Sequence, residues 1–233
     1  MKVKQALIIR RLAVPVSMEL ADRAAQSCRD HNLPFEFIDG IEFMNCDEAF
    51  EAVGSFKQPA YKNTMGNCCC HASHIKAWRR IVALDSATMV LEYDAVVVGD
   101  VTDIDIPDMH VVNVGHRIDL RRHRYELPEM EKQLVELKRS IGTHSYILSP
   151  KTAEWLYNDA IENGVSVGVD RWVVMKKQSG LPLLGIDPPL AYCDGGVSTN
   201  NLTQEELKNG DDRKHGGAHT NYDVPDGWKK GLR

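Results

Sequence analysis

The chain has 233 residues, of which 43% are hydrophobic and 26% are charged, and its formal net charge is −5. This composition is typical of a globular protein with one large domain or two small ones, and the negative charge excludes a basic surface that would recruit nucleic acid or an anionic membrane. No apolar run approaches the roughly 20 residues of a membrane-spanning helix.

Strand-like and helix-like segments alternate over most of the chain. Up to residue 114, the hydrophobic pattern predicts a strand at 6–9, a helix capped by Ser17 and running to about Asp30, a strand at 35–39, a helix at 71–84, a strand at 89–98 and a strand at 110–114. Beyond that point it predicts a helix at 128–140, a strand at 145–148 and a helix that opens at Ser149 and Pro150 and stops at Gly164. Such alternation predicts an α/β fold with a largely parallel sheet.

The sequence after Gly180 differs in character from the rest. It is rich in Pro, Gly, Asn and Asp, and residues 209–233 have little periodic apolar content. We therefore expect a folded domain over residues 1–203 and a polar, loop-rich tail over 204–233.

The first ten residues and the cysteines bear on the compartment. The beginning of the chain lacks the apolar core and cleavage site of a signal peptide, so we expect no secretion signal. Six cysteines are present without the spacing of a disulfide framework. Both observations favour a reducing, cytoplasmic location.

Two carboxylates interrupt the apolar strand at 89–98. Glu92 and Asp94 are separated by Tyr93, so they point to the same face of the sheet if the strand continues through them. Paired carboxylates at the end of a buried strand suit a hard divalent cation, above all one that also holds a phosphate. In the alternative, the strand ends at Glu92 and Asp94 opens a solvated turn.

Small and polar residues surround the predicted start of the helix at 71–84. Ser73 and His74 would lie in its first turn, where free backbone amides receive phosphate or sugar hydroxyls. The consecutive cysteines at 68–70 cannot easily converge on one tetrahedral zinc ion, and small buried thiols explain them better. His74 could equally be a hydrogen-bonded structural residue.

These segments together resemble glycosyltransferase family 25, the lipopolysaccharide-type galactosyltransferases and their relatives. The family's Gly-Glu-Ile-Gly-Cys-x-x-Ser-His stretch and following helix are matched by Gly66, Cys70, Ser73, His74 and Trp78. Its Leu-Glu-Asp-Asp-Val segment is matched by Leu91, Glu92 and Asp94, and further matches lie at 35–40, 142–150 and 169–170. The chain departs from the family pattern at Asn67, Cys69 and Tyr93, which stand where the family has Glu, Gly and Asp.

The resemblance implies a GT-A-like fold and a metal-dependent transfer of sugar. The donor would be a nucleotide sugar such as UDP-galactose, with Mn²⁺ or Mg²⁺ held by Glu92 and Asp94, and the acceptor a glycan or glycolipid hydroxyl in lipopolysaccharide biosynthesis. It further places three residues beside the donor, namely Gly66, Ser73 and His74. The resemblance also implies inversion of the anomeric centre, which requires a general base to deprotonate the acceptor hydroxyl, and Asp170 is the candidate for that base.

Other interpretations are open at this point. The three departures are also compatible with a degenerate relative that binds nucleotide or sugar without turnover. A metal-dependent hydrolase acting on a phosphate ester could use the same carboxylates, but the chain lacks a second acidic cluster for a two-metal site. Asp170 could simply pair with the neighbouring Arg171.

Overall fold

The computed structural model describes residues 1–115, 131–137, 142–173 and 179–193, and the backbone of two short strands at 125–126 and 229–230. The helices are α1 (Pro15–Asp30), α2 (Cys46–Glu51), α3 (Met65–Leu84), α4 (Pro150–Glu162) and α5 (Val169–Val173). The strands are β1 (Val3–Arg10), β2 (Phe35–Asp39), β3 (Ala87–Glu92), β4 (Ala95–Val97), β5 (Val111–Asn113), β6 (Tyr125–Glu126), β7 (Gln133–Glu136), β8 (Ser145–Leu148), β9 (Leu183–Asp187), β10 (Ala191–Cys193) and β11 (Lys229–Lys230). Among these described helices, none combines the length and the apolar character needed to cross a lipid bilayer.

Seven of the described strands form the central sheet, in the order β2-β1-β3-β8-β5-β9-β7. Strands β1, β2, β3, β5 and β9 point the same way, whereas β8 and β7 run antiparallel to their neighbours. Two small sheets pair β10 with β4 and β11 with β6. The expected α/β fold, with a mostly parallel central sheet flanked by helices, is confirmed.

The sheet is buried on both faces. Ile8 and Met89 face a core that includes the small residues of α1, whereas Leu7 and Val90 face a second core built by α3 and α4. Successive residues of a strand alternate between the faces, so a strand covered on both sides reads as a continuous apolar run. This explains why β3 is fully buried from Ala87 to Leu91.

The parallel strands end at one edge of the sheet, here called the carboxyl edge. Arg10, Asp39 and Glu92 end β1, β2 and β3 there. Strand β8 runs the opposite way, so the residues that precede it, Thr143 and His144, reach the same edge. Ligands of open α/β sheets bind beyond the carboxyl ends of strands, so a ligand site is expected at this edge.

Two predicted helix starts are displaced. Helix α1 begins at Pro15 after Val14, and Ser17 lies inside it, where its hydroxyl accepts a hydrogen bond from the Arg11 N–H at 2.9 Å. Helix α3 begins at Met65 instead of residue 71, because the Thr64 side chain caps it. Gly, Asn and Cys are weak helix formers, so the sequence does not indicate that the first turns of α3 are helical.

The prediction of a helix at 128–140 is wrong over the described residues of that range. Gln133–Glu136 form the edge strand β7, which pairs antiparallel with β9. A short segment with few apolar residues fits both periodicities, and pairing with a neighbouring strand decides between them.

The segment after Gly180 contributes to two sheets. Strands β9 and β10 lie within it, inside the range 1–203 over which a folded domain is expected. The tail predicted at 204–233 lies outside the described residues apart from the backbone of β11, and the domain boundary at 203 stays a prediction.

A disulfide joins Cys46 of α2 to Cys68 of α3, whose Cα atoms are 5.2 Å apart. The expectation of cysteines without disulfides is therefore wrong for this pair. The two residues are 22 positions apart, and only the packing of α2 against α3 brings them together. The bond also removes the support that the cysteines gave to a reducing, cytoplasmic location.

Candidate functional site

Three side chains with metal-ligating atoms converge at the carboxyl edge. Cys70 and His74 lie four residues apart in α3 and therefore share one face of that helix, and Glu92 ends β3. The Cys70 sulfur, a His74 ring nitrogen and a Glu92 carboxylate oxygen lie within 4.8 Å of one another. His74 is fully buried, whereas Cys70 and Glu92 are partly exposed, so the cluster is accessible from solvent.

A buried hydrogen-bond network orients His74. Its Nδ1 lies 2.8 Å from the Tyr146 hydroxyl, which also accepts a hydrogen bond from the Trp78 indole N–H at 2.9 Å. Burial raises the pKa of Tyr146 well above its usual value, so this hydroxyl keeps its proton and can donate it to Nδ1. When the Tyr146 hydroxyl donates to Nδ1, a ring with one proton carries it on Nε2, which lies 3.3 Å from Glu92 Oε1 without the alignment of a regular hydrogen bond.

Glu92 is held as a carboxylate. The Thr143 hydroxyl donates to its Oε1 at 2.5 Å, and its backbone N–H donates to the His144 carbonyl at 2.9 Å. Burial by itself would raise the pKa of Glu92, but the attraction of the His74 ring, the hydrogen bond from Thr143 and the influence of His144 outweigh burial and lower it. The side chain is therefore ionised at neutral pH.

Asp94 does not continue the strand of Glu92. Strand β3 ends at Glu92, Tyr93 and Asp94 form a turn, and β4 follows. The Cys193 thiol donates to Asp94 Oδ2 at 3.1 Å, while Tyr93 packs into the core on the α1 side of the sheet. The structure thus shows the arrangement in which Asp94 opens a turn, and within the described part of the chain Asp94 lies outside the cluster formed at Glu92.

Charged groups surround the thiol of Cys70. Burial raises the pKa of this thiol well above its usual value, the negative charges of Glu92, Asp170 and Asp94 raise it further, and the positive charge of Arg11 opposes them. Of these charged residues, Glu92 belongs to the cluster with Cys70 and His74.

Asp170 is exposed and belongs to the first turn of α5. A Cβ atom added at Gly168 would lie 3.0 Å from Asp170 Oδ1 and 3.1 Å from Asn63 Nδ2, so both side chains pack over this glycine.

Ser73 and Gly66 lie in different turns of α3. The Ser73 hydroxyl is buried, donates to the Cys69 carbonyl at 2.7 Å and accepts from the Ile41 N–H at 2.9 Å, so it ties α3 to the segment after β2. The prediction that Ser73 and His74 lie in the first helical turn is wrong, because α3 starts at Met65. Gly66, the second residue of α3, is the one of the three that lies at the helix N-terminus.

Three residues of the site were not apparent as such in the sequence. Thr143 and Tyr146 lie in the segment at 142–150 that supports the family resemblance, but nothing there indicates that they contact Glu92 and His74. Arg11 directly follows β1, and its place after a parallel strand is a signal that could have identified it.

The burial of His71 should make the free energy of unfolding depend on pH. Its buried ring lies between those of Phe50, Trp78 and Trp172, at centroid distances of 5.7, 6.0 and 4.9 Å. Burial, followed by the charge of His74, lowers the pKa of His71 well below its ordinary value of 6.5. Below that value the unfolded chain binds a proton that the folded chain excludes, so the free energy of unfolding falls as the pH drops.

We expect the wild type to lose about 1 kcal/mol more unfolding free energy than His71→Phe between about pH 6 and about pH 5. Urea unfolding at both pH values measures this difference in slope, which is independent of any constant effect of the substitution. Parallel losses in the two proteins would show that His71 is not excluded from protonation in the folded state.

The atoms at the cluster restrict the cation that it could hold. Mg²⁺ and Mn²⁺ prefer oxygen ligands from carboxylates, carbonyls and water. The atoms that converge with Glu92 are instead a sulfur and a ring nitrogen, and Asp94 accepts its hydrogen bond from Cys193. The described donor set at Glu92 therefore mixes sulfur, nitrogen and oxygen and is not the oxygen-only set that Mg²⁺ and Mn²⁺ prefer.

Comparison with solved structures gives low similarities. The chain is similar to a glycosyltransferase involved in the glycosylation of the major capsid of PBCV-1, with 10% identity, a TM-score of 0.36 and 68% of each chain covered. It is also similar to apo-form GlyE of Streptococcus pneumoniae TIGR4, with 11% identity, a TM-score of 0.37, and 67% of this chain and 37% of GlyE covered. A197 from STIV gives 7% identity, a TM-score of 0.41 and 86% and 99% coverage.

Comparison with protein families gives a clear assignment. No curated protein matches the chain. The sequence pattern described as glycosyltransferase family 25 (LPS biosynthesis protein) matches residues 16–172, which include α3, Glu92, Asp94 and Asp170. Because this match spans more than half of the sequence, the chain belongs to glycosyltransferase family 25.

Proposed function

We propose that the protein transfers a sugar, such as galactose, from a nucleotide-sugar donor to a hydroxyl of a glycan or glycolipid. The observation that carries this proposal is the match of residues 16–172 to the family, within which Cys70, His74 and Glu92 converge at the carboxyl edge. The family's description as an LPS biosynthesis protein supports a lipopolysaccharide precursor as the acceptor.

A nucleoside diphosphate can leave from this site only if positive charge nearby offsets the carboxylates. Breaking the bond at the anomeric carbon leaves negative charge on the diphosphate, which Glu92, Asp94 and Asp170 would repel. Arg11 acts on the same thiol as these carboxylates and can offset their charge. We assign Arg11 to the diphosphate, and Gly66, Ser73 and His74 to the donor side of the site.

Asp170 is the proposed general base. Its exposed carboxylate would take the proton of the acceptor hydroxyl as the oxygen attacks the anomeric carbon, and the nucleoside diphosphate would leave from the opposite face, with inversion. An exposed base suits an acceptor that is too large to be enclosed.

The proposal is tested with the full chain and a panel of nucleotide sugars. A thermal-shift screen identifies the donor, because a ligand that binds the folded state raises Tm. Nucleotide release is then measured with and without a glycan acceptor, in the presence of Mn²⁺, of Mg²⁺ or of EDTA. This last comparison tests the metal dependence that the family resemblance implies.

Acceptor-dependent release of the nucleotide is the result expected of a transferase. If a nucleotide sugar bound but no acceptor caused release of the nucleotide, the result would favour a non-catalytic relative. The departures from the family pattern at Asn67, Cys69 and Tyr93 are compatible with that alternative. Failure of every nucleotide sugar to bind would contradict the proposed function altogether.

A further inference from the structure

The cluster of Cys70, His74 and Glu92 has the composition of a transition-metal site. It offers one sulfur, one imidazole nitrogen and one carboxylate oxygen, all within 4.8 Å of one another. Zinc sites use these three donor types, and catalytic ones have three protein ligands and leave a fourth position open. The donors come from one face of α3 and the end of β3, two elements whose packing fixes their separation.

The surroundings of the cluster resemble those that orient metal ligands. A ligating histidine is normally fixed through its other ring nitrogen, and a ligating carboxylate is normally hydrogen-bonded as well. Here Tyr146 contacts His74 Nδ1 at 2.8 Å, and Thr143 donates to Glu92 at 2.5 Å. His74 Nε2, the nitrogen on the Glu92 side, is buried and has no aligned hydrogen-bond partner.

The local charge also favours a cation at this position. The negative charges of Glu92, Asp94 and Asp170 raise the pKa of the Cys70 thiol, and the positive charge of Arg11 opposes them. A divalent ion would offset this excess of negative charge. The partial exposure of Cys70 and Glu92 gives the ion a path from solvent.

We propose that Cys70, His74 and Glu92 form an open binding site for a borderline transition-metal cation of the Zn²⁺ class. The site differs from the oxygen-only Mn²⁺ or Mg²⁺ site at Glu92 and Asp94 that the family resemblance implies. On binding, the Cys70 thiol loses its proton to solvent as the metal–sulfur bond forms, and the His74 proton moves from Nε2 to Nδ1, where the Tyr146 oxygen can accept it. This inference does not require that the protein transfer sugar.

Cobalt provides a direct test, because Co²⁺ occupies zinc-type sites and a thiolate ligand gives it an intense near-ultraviolet charge-transfer absorption. The full chain is freed of metal with a chelator, which is then removed, and titrated with Co²⁺ in the absence of thiol reductant, so that Cys46 and Cys68 stay paired. We expect the absorption to appear in proportion to one bound ion, and added Zn²⁺ to abolish it.

Substitutions locate the ligand. Cys70→Ser is expected to remove the charge-transfer absorption, whereas Cys69→Ser should keep it, because Cys69 donates to the Met44 carbonyl and lies outside the cluster. Glu92→Gln should retain the sulfur absorption but weaken Co²⁺ binding at least tenfold, on the order of effects seen at metal sites. Circular dichroism confirms that each variant is folded.

Two results would overturn the inference: no thiolate absorption in the wild type, or an absorption that survives in Cys70→Ser. Either could occur in a protein that still transfers sugar, and a positive cobalt titration could occur in one that does not. The failure of this inference and the failure of the proposed function are thus distinguishable.

Discussion

Replacing Glu92 by glutamine is expected to lower kcat/KM for sugar transfer by about 100-fold or more. Glutamine keeps the size of the side chain and can still accept the hydrogen bond from Thr143, but it removes the negative charge beside His74. That charge faces the His74 ring and would strengthen the binding of a cation at this edge, so its loss should act on the transition state without unfolding the protein.

Nucleotide release from the donor identified by thermal shift measures this effect. Glu136→Gln is a matched control, because Glu136 is an exposed glutamate at the end of the edge strand β7. We expect the control to retain full activity. If Glu92→Gln transferred sugar at the wild-type rate, the carboxylate would have no part in the reaction.

Asp94 is tested in the same assay. The family resemblance assigns it to the metal, whereas the structure places it in a turn where it accepts a hydrogen bond from Cys193. Full activity of Asp94→Ala would exclude a metal-binding role for this residue. A loss as large as that of Glu92→Gln would support joint action of the two carboxylates, even though Glu92 ends β3 and Asp94 lies in the turn that follows.

Replacing Trp78 by alanine is expected to cost about 3–5 kcal/mol of unfolding free energy. The indole is fully buried and packs edge-on against Trp172 at a centroid distance of 5.6 Å. Its N–H donates to the Tyr146 hydroxyl, so the substitution also releases the partner of His74. Urea or thermal unfolding measures the loss, which corresponds to a fall in Tm of roughly 10 °C.

Two further variants separate the causes. Trp78→Phe retains most of the apolar volume but removes the N–H, and should cost less while disturbing the orientation of His74. Leu12→Ala, at a leucine that is 53% exposed, should change the stability by no more than about 0.5 kcal/mol. A small effect of Trp78→Ala would mean that the indole is not the centre of the core between α3 and α5.

The agreement between sequence and structure is best where local signals act alone. Ser149 and Pro150 start α4 as expected, and its end before Gly164 follows from the left-handed backbone of that glycine, at φ +68°. The apolar runs at β1 and β3 indicate strands buried on both faces, since each side of the sheet carries helices. These signals depend on the residue and its immediate neighbours, which is why they can be interpreted without a fold.

The disagreements occur where a distant segment decides. The residues of β7 have a pattern that suits a helix, and they form a strand because the edge of β9 offers hydrogen-bond partners. Cys46 and Cys68 join because α2 packs on α3. Asp94 leaves the strand of Glu92 because the chain turns there to form β4 with β10.

By itself, the sequence determined the α/β class, the family and the segments that carry the chemistry, since hydrophobic periodicity and short motifs are properties of contiguous residues. Only the tertiary structure decided that Cys70 and His74 meet Glu92, that Tyr146 and Thr143 orient them, and that Arg11 lies nearby. Those contacts depend on the order of strands in the sheet and on the start of α3, and no local pattern encodes the distance between two elements.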